Sequence, residues 1–133
     1  MNFQWIDRID GSHQQDLYAL YLEEWWTKDR RFDDVARMLE HTDIVIGCCL
    51  DGKLVGFARV LTDYVYKAMI FDVIIDQKLR GSGLGRDIMD RITGHERLQS
   101  VASFELYCPD RLIPFYEKLG FAKSTSSLLR YQR

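Results

Sequence analysis

Ile74-Ile75-Asp76-Gln77-Lys78-Leu79-Arg80-Gly81-Ser82-Gly83-Leu84-Gly85-Arg86-Asp87-Ile88-Met89 is the stretch on which the reading of this chain turns. An apolar β-branched run enters it, alternating glycines fill its middle, and an amphipathic run leaves it. That pattern spells strand, tight loop, helix. Glycine lets the main chain bend sharply and lets a ligand approach the backbone closely. The loop therefore offers free N–H groups at a helix start, where the helix dipole favours an anion. Lys78, Arg80 and Arg86 add positive charge around it. A phosphate-bearing ligand fits this combination.

Spacing excludes two familiar glycine motifs. A P-loop needs Lys followed by Ser or Thr after its last glycine, whereas Gly85 is followed by Arg86 and Asp87. A dinucleotide fingerprint needs G-x-G-x-x-G; counted from Gly81 its last position is Arg86, and counted from Gly83 it is Ile88. What remains is Arg80-x-x-Gly83-x-Gly85 with an extra Gly81. Downstream stands Phe115-Tyr116-Glu117-Lys118-Leu119-Gly120-Phe121. The first pattern resembles the acyl-CoA loop of the GCN5-related N-acetyltransferase (GNAT) superfamily, Gln/Arg-x-x-Gly-x-Gly/Ala. The second matches that superfamily's closing motif, Phe-Tyr-Glu-Lys-x-Gly-Phe. The resemblance runs from about Ile44 to Phe121 and takes in the strand Gly56-Phe57-Ala58-Arg59-Val60-Leu61-Thr62-Asp63.

The resemblance implies an α+β fold with a mixed, mostly antiparallel central sheet and helices on both faces. It implies acetyl-CoA as cosubstrate and transfer of its acetyl group to a primary amine by direct attack. The backbone of Val73, Ile74 and Ile75 would hold the pantetheine arm, with an N–H there polarising the thioester oxygen. The amides of Leu79, Arg80, Gly81, Ser82, Gly83, Leu84, Gly85 and Arg86 would take the pyrophosphate. Tyr116 would act as general acid, since a phenol can give its proton to a departing thiolate. One departure stands out: the Asn that many members carry seven positions before this Tyr is Pro109 here, so its contact is lost or passes to Asp110.

The general base is less determined. Asp72, Asp63 and Glu105 are strand-associated carboxylates, and Asp72 comes first because its strand meets the thioester. A hydrogen-bonded structural Asp with a water chain as base fits the same residues. Cys108 reads as a core thiol, because no His or basic partner activates it. Tyr18, Tyr21, Trp25, Trp26 and Tyr64 fall near the acceptor region that the resemblance implies, with Trp25, Trp26 and Tyr64 as substrate residues. Adjacent tryptophans on one helix cannot both face the core, so one is expected to be partly exposed, free to meet an amine by cation–π contact. His13, His41 and His95 are isolated, and no metal is assigned. A second class of function stays open: a non-catalytic acyl-CoA-binding module, acting as a sensor or as a subunit of an assembly.

At 133 residues the chain reads as one domain, 1–133. With 47% apolar residues it can build a core. A net charge of −2 and scattered basic residues argue against a nucleic-acid partner. The cysteines Cys48, Cys49 and Cys108 are odd in number and lack Cys-x-x-Cys spacing, which speaks against zinc or a disulfide framework and for a cytoplasmic location. No apolar run approaches the ~20 residues of a membrane span, and no signal-peptide pattern opens the chain. Periodicity predicts strands over 3–6, 44–50, 53–61, 67–76 and 102–108, the fourth apolar and central, with helices over 13–26, 32–41, 83–93 and 111–119. A last hairpin is expected from 121–123 and 128–132, and the resemblance, whose members often pair through terminal strands, implies a homodimer through that Leu- and Tyr-rich strand.

Overall fold

Asp51 and Gly52 adopt φ of 52° and 79°, the pair of positive angles that a two-residue hairpin turn demands. They join two of the strands of a computed structural model that describes residues 2–133. β1 (Phe3–Ile6), β2 (Ile44–Leu50), β3 (Lys53–Thr62), β4 (Lys67–Ile75) and β5 (Ser103–Glu105) lie side by side in that order. Pairing is antiparallel from β1 to β4 and parallel between β4 and β5. The mixed, mostly antiparallel sheet expected from sequence is thus present.

Helices α1 (Ser12–Leu22) and α2 (Phe32–Glu40) cover one face, setting Leu17, Leu20, Tyr21 and Val35 against Val45, Leu54, Phe57 and Ile74. Helix α3 (Leu84–Thr93) and the short α4 (Ile113–Glu117) cover the other. Leu84, Ile88 and Ile92 recur every four residues, form one stripe, and pack with Tyr116 against Ile46, Val60, Ala68 and Ile70.

Two irregularities in β4 create the site. Phe57 lies opposite Ile74 and Arg59 opposite Phe71, so Ala58 faces two residues, Asp72 and Val73. This is a β-bulge. Asp72 sits in it at φ 56°, a left-handed conformation that costs an L-residue about 1–2 kcal/mol. Because the side-chain period of a strand is two, the extra residue flips the parity. Ala68 and Ile70 face α3, whereas Ile74 faces α1. The second irregularity is a splay: β5 pairs with Lys67, Ala68 and Met69 only, leaving the rest of β4 with no strand on that side.

Several expected boundaries shift. The fourth strand is not central but next to the edge, and its burial alternates instead of being continuous. The first helix stops at Leu22, not 26, where the Thr27 hydroxyl turns back to donate 2.8 Å to the Tyr21 carbonyl. The strand expected over 102–108 keeps only Ser103–Glu105, because the chain leaves β4 at the splay. The helix expected over 111–119 begins as a 3-10 turn, Asp110–Leu112, before α4. The terminal hairpin is absent: 121–133 holds neither strand nor helix, and Leu129 and Tyr131 are 91% and 87% exposed. Alternation there has no apolar surface to pack on, and strand preference is largely such packing. Among the described residues no helix is long and apolar enough to cross a membrane.

Candidate active site

The glycine loop folds as its spacing demands. Asp76 accepts from the Lys78 amide at 3.0 Å and starts a 3-10 turn, Gln77–Leu79. Gly83 then caps α3 at φ 89°, a conformation that other residues rarely adopt. The first main-chain bond into α3 runs from Asp87 N–H to the Gly83 carbonyl. Among the described residues, the N–H groups of Gly81, Gly83, Leu84, Gly85 and Arg86 find no acceptor. They form a cradle for an anion at a helix N-terminus. A Cβ on Gly85 would stand 3.4 Å from the Phe115 ring, so the closing motif packs directly on the loop.

Main-chain direction extends this cradle along β4. Ser103 N–H donates to the Tyr66 carbonyl at 3.1 Å, so before the bulge even-numbered residues turn their polar groups toward β5. Asp76 N–H donates to the Val55 carbonyl at 2.8 Å, so after the bulge even-numbered residues turn toward β3. Val73 and Ile75 therefore face the open gap beside β5. The bulge decides which amides reach it.

Tyr116 stands on α4, in the core cluster against which Val73 and Ile75 also pack. Its ring packs edge-on against Phe115 and Phe121, at centroid distances of 4.9 and 6.0 Å. It lines a cleft of about 630 Å³ together with Met69, Leu106 and Cys108. Its hydroxyl makes no hydrogen bond to the described residues, yet it is not sealed from solvent. Burial, with a smaller push from Cys108, raises the phenol to about 12.

Asp72 does not hold the free carboxylate expected of a base. Its Oδ2 accepts from the Tyr21 hydroxyl at 2.9 Å, from Arg30 Nη1 at 2.5 Å and from Arg59 Nε at 2.7 Å. Its Oδ1 accepts from Arg30 Nη2 at 3.0 Å. Burial pushes the carboxyl up, but the hydrogen bonds and charges of Arg30 and Arg59 outweigh it and hold it below the usual range. Such a carboxylate is a poor proton acceptor. A carboxyl lower in the folded than in the unfolded state adds stability that is fully present above the ordinary value of ~3.9 and is lost as pH falls through the folded value. Thermal midpoints taken from about pH 6 down to about pH 2 should therefore fall more steeply in the wild type than in Asp72→Asn. Parallel curves would separate this cluster from acid stability.

The other carboxylates are also engaged. Asp63 accepts from the amides of Val65, Tyr66 and Lys67 in the β3–β4 turn, which lower its pKa. Glu105 is paired with Lys67, first among the causes that lower its pKa. Tyr64 is likewise remote: it sits in the same turn, at the far end of β4 from the bulge. There its hydroxyl accepts from Arg97 at 2.5 Å. Tyr18 packs edge-on against Phe32.

Trp25 and Trp26 are both exposed, at 72% and 41%. They ride on the α1–α2 connection, which is tied at both ends. Glu24 pairs with Arg80 of the glycine loop, and Arg30 pairs with Asp72 at the bulge. Phe71 and Tyr107 meet edge-on across the splay at 6.0 Å. Glu24, Arg30 and Arg59 are site residues that sequence reasoning missed. Arg59 had a signal: a charged residue inside an apolar strand is rarely buried without a partner.

Comparison with known proteins bears on this geometry. The family model for the acetyltransferase (GNAT) family matches residues 5–121. Serotonin N-acetyltransferase 2, chloroplastic, of Oryza sativa subsp. japonica is 33% identical over 103 residues, 74% of this chain and 52% of that protein. The uncharacterized N-acetyltransferase ycf52 of Porphyra purpurea is 34% identical over 102 residues, 74% of this chain and 58% of its own. The chain thus spans about half the length of these relatives. A GNAT-family protein of Xanthomonas campestris superposes with a TM-score of 0.82 at 28% identity, covering 99% of this chain and 94% of that one.

Proposed function

Since this chain belongs to the acetyltransferase (GNAT) family, we propose that it carries an acetyl group from acetyl-CoA to a primary amine by direct attack. The observation that carries this reading is the track of unpaired main-chain donors. It runs from Val73 and Ile75 in the gap to Gly81 and Gly83–Arg86 at the helix start, while Ser82 N–H, like those of Leu79 and Arg80, is already paired within the loop. The loop amides, with Lys78 and Arg86 nearby, hold the pyrophosphate. The β4 backbone holds the pantetheine arm, and an N–H at the bulge polarises the thioester oxygen. Holding both partners in line supplies much of the rate.

In this reading the amine nitrogen bonds to the thioester carbon, the C–S bond breaks, and the Tyr116 hydroxyl gives its hydrogen to the departing sulfur. A phenol near 12 is a weak acid, but burial raises the Cys108 thiol in the same cleft as well, so these surroundings disfavour a thiolate too. Acid and leaving group stay within reach of each other. Water takes the amine proton and returns a proton to the Tyr116 phenolate, because Asp72, Asp63 and Glu105 are all engaged. Cys108, with its raised thiol, is no competing nucleophile. Turnover should therefore show no alkaline decline attributable to Tyr116 below about pH 11. A decline near pH 9 that vanishes in Tyr116→Phe would assign a lower phenol.

Trp25, Trp26, Phe71 and Tyr107 give the acceptor side an aromatic lining. Together with the rice relative, named for serotonin, this favours arylalkylamines as acceptors. The test is thiol release from acetyl-CoA against a panel of arylethylamines, polyamines, amino acids and peptide amines. Arylethylamines should lead. Binding of acetyl-CoA with no transfer to any amine would favour the non-catalytic module. The free thiols support a reducing compartment such as the cytoplasm. A homodimer through the exposed C-terminal segment is part of the same proposal, and light scattering showing a monomer at high concentration would remove it.

A further inference from the structure

The bulge residue is a left-handed aspartate in mid-strand, and four hydrogen bonds from three distant side chains converge on it. Strained backbone persists where its surroundings over-determine it, and it clusters at functional sites. Here the over-determination is visible. Arg59 reaches Asp72 from the neighbouring strand while stacking over the Phe71 ring at 4.9 Å. Arg30 reaches it from the α1–α2 connection while lying over the Tyr21 ring at 4.7 Å. Tyr21 comes from α1, fully buried and edge-on to Phe57. Strand, helix and connection thus grip one carboxylate.

We propose that Arg30, Arg59 and Tyr21 are positioning residues for the acetyl transfer. By gripping Asp72 they hold the bulge in its left-handed conformation and so aim the Val73 N–H into the gap where the thioester oxygen lies. The inference rests on the functional reading above and adds to it a role for side chains that never touch a substrate. The logic is geometric. Without the bulge the strand keeps one parity, and even-numbered amides, not Val73 and Ile75, face the gap. The carboxylate lies on the α1–α2 side of the sheet and the gap lies in its plane, so Asp72 acts through its backbone.

Three variants test this: Tyr21→Phe, Arg59→Gln and Asp72→Asn. Tyr21→Phe removes one hydrogen bond and keeps the ring packing, so it remains informative if the others fold poorly. Asn tolerates the left-handed conformation, so Asp72→Asn changes mainly the grip. Expected is a fall in kcat of about ten- to a hundredfold for Asp72→Asn and Arg59→Gln, and about threefold to tenfold for Tyr21→Phe. KM for acetyl-CoA should change less than kcat, since the pyrophosphate-binding loop amides are untouched and only the pantetheine contacts of β4 are disturbed. The fall should be equal at every pH. A general base would instead show an acid limb that moves or vanishes.

The second readout needs no turnover. The Val73 amide resonance in the unliganded protein should shift, and its hydrogen exchange should slow as the amide turns from the open gap toward β3, in each folded variant. An unchanged Val73 amide in folded variants overturns the proposal, and so does a displaced acid limb. If the wild type transfers no acetyl group, the functional reading fails on its own, and the amide measurement still decides whether the grip sets the bulge.

Discussion

Replacing Tyr116 by Phe is expected to lower turnover by about a hundred- to ten-thousand-fold while acetyl-CoA affinity stays within about threefold. The substitution removes only an oxygen. The ring keeps its edge-on contacts with Phe115 and Phe121, so packing is preserved. What is lost is a hydroxyl that opens to the cleft without a protein partner. Affinity is spared because the cosubstrate is held by main-chain groups. Steady-state kinetics with an accepted amine, beside calorimetry with acetyl-CoA, reads both quantities. Turnover within about threefold of wild type, which is ~0.65 kcal/mol of barrier, would make Tyr116 a packing residue.

Gly83→Asp is expected to weaken coenzyme A binding by at least about a hundredfold, ~2.8 kcal/mol. Two effects add. At φ 89° any side chain forces strain of about 1–2 kcal/mol, and the new carboxylate stands where the loop amides gather an anion. No atom lies within 4 Å of a Cβ built there, so steric crowding plays no part. Gly83→Ala separates the two, since it keeps the strain and adds no charge. Calorimetry showing wild-type affinity in a folded Gly83→Asp protein would remove the phosphate role from this loop.

What the sequence revealed and what it hid follow from the range of the interactions. The glycine loop was legible because its chemistry is local: a left-handed cap, free amides and a helix start all lie between Gly81 and Arg86. Tyr116 was singled out through its motif, and the approach of Gly85 to Phe115 shows that the two motifs meet in space. Asp72 was singled out for its strand, and its carboxylate is engaged rather than free. Its partners come from 42 and 13 residues away, and nothing local announces that two guanidiniums converge on it. The position of Tyr64 was hidden for the same reason, since the distant Arg97 holds it at the far end of β4. The last hairpin failed differently: Leu128, Leu129 and Tyr131 make a strand-like pattern with no face to bury it.

The central claim is that this backbone track binds acetyl-CoA for direct transfer. A single-turnover reaction tests it most directly: protein in excess over acetyl-CoA, an arylethylamine added, and amine, thiol and protein followed by mass spectrometry. The account predicts one acetyl group gained by the amine for each free thiol released, no thiol without amine, and no acetyl group on the protein at any time. Thiol release in the absence of amine, with an acetyl adduct on Cys108, would contradict it.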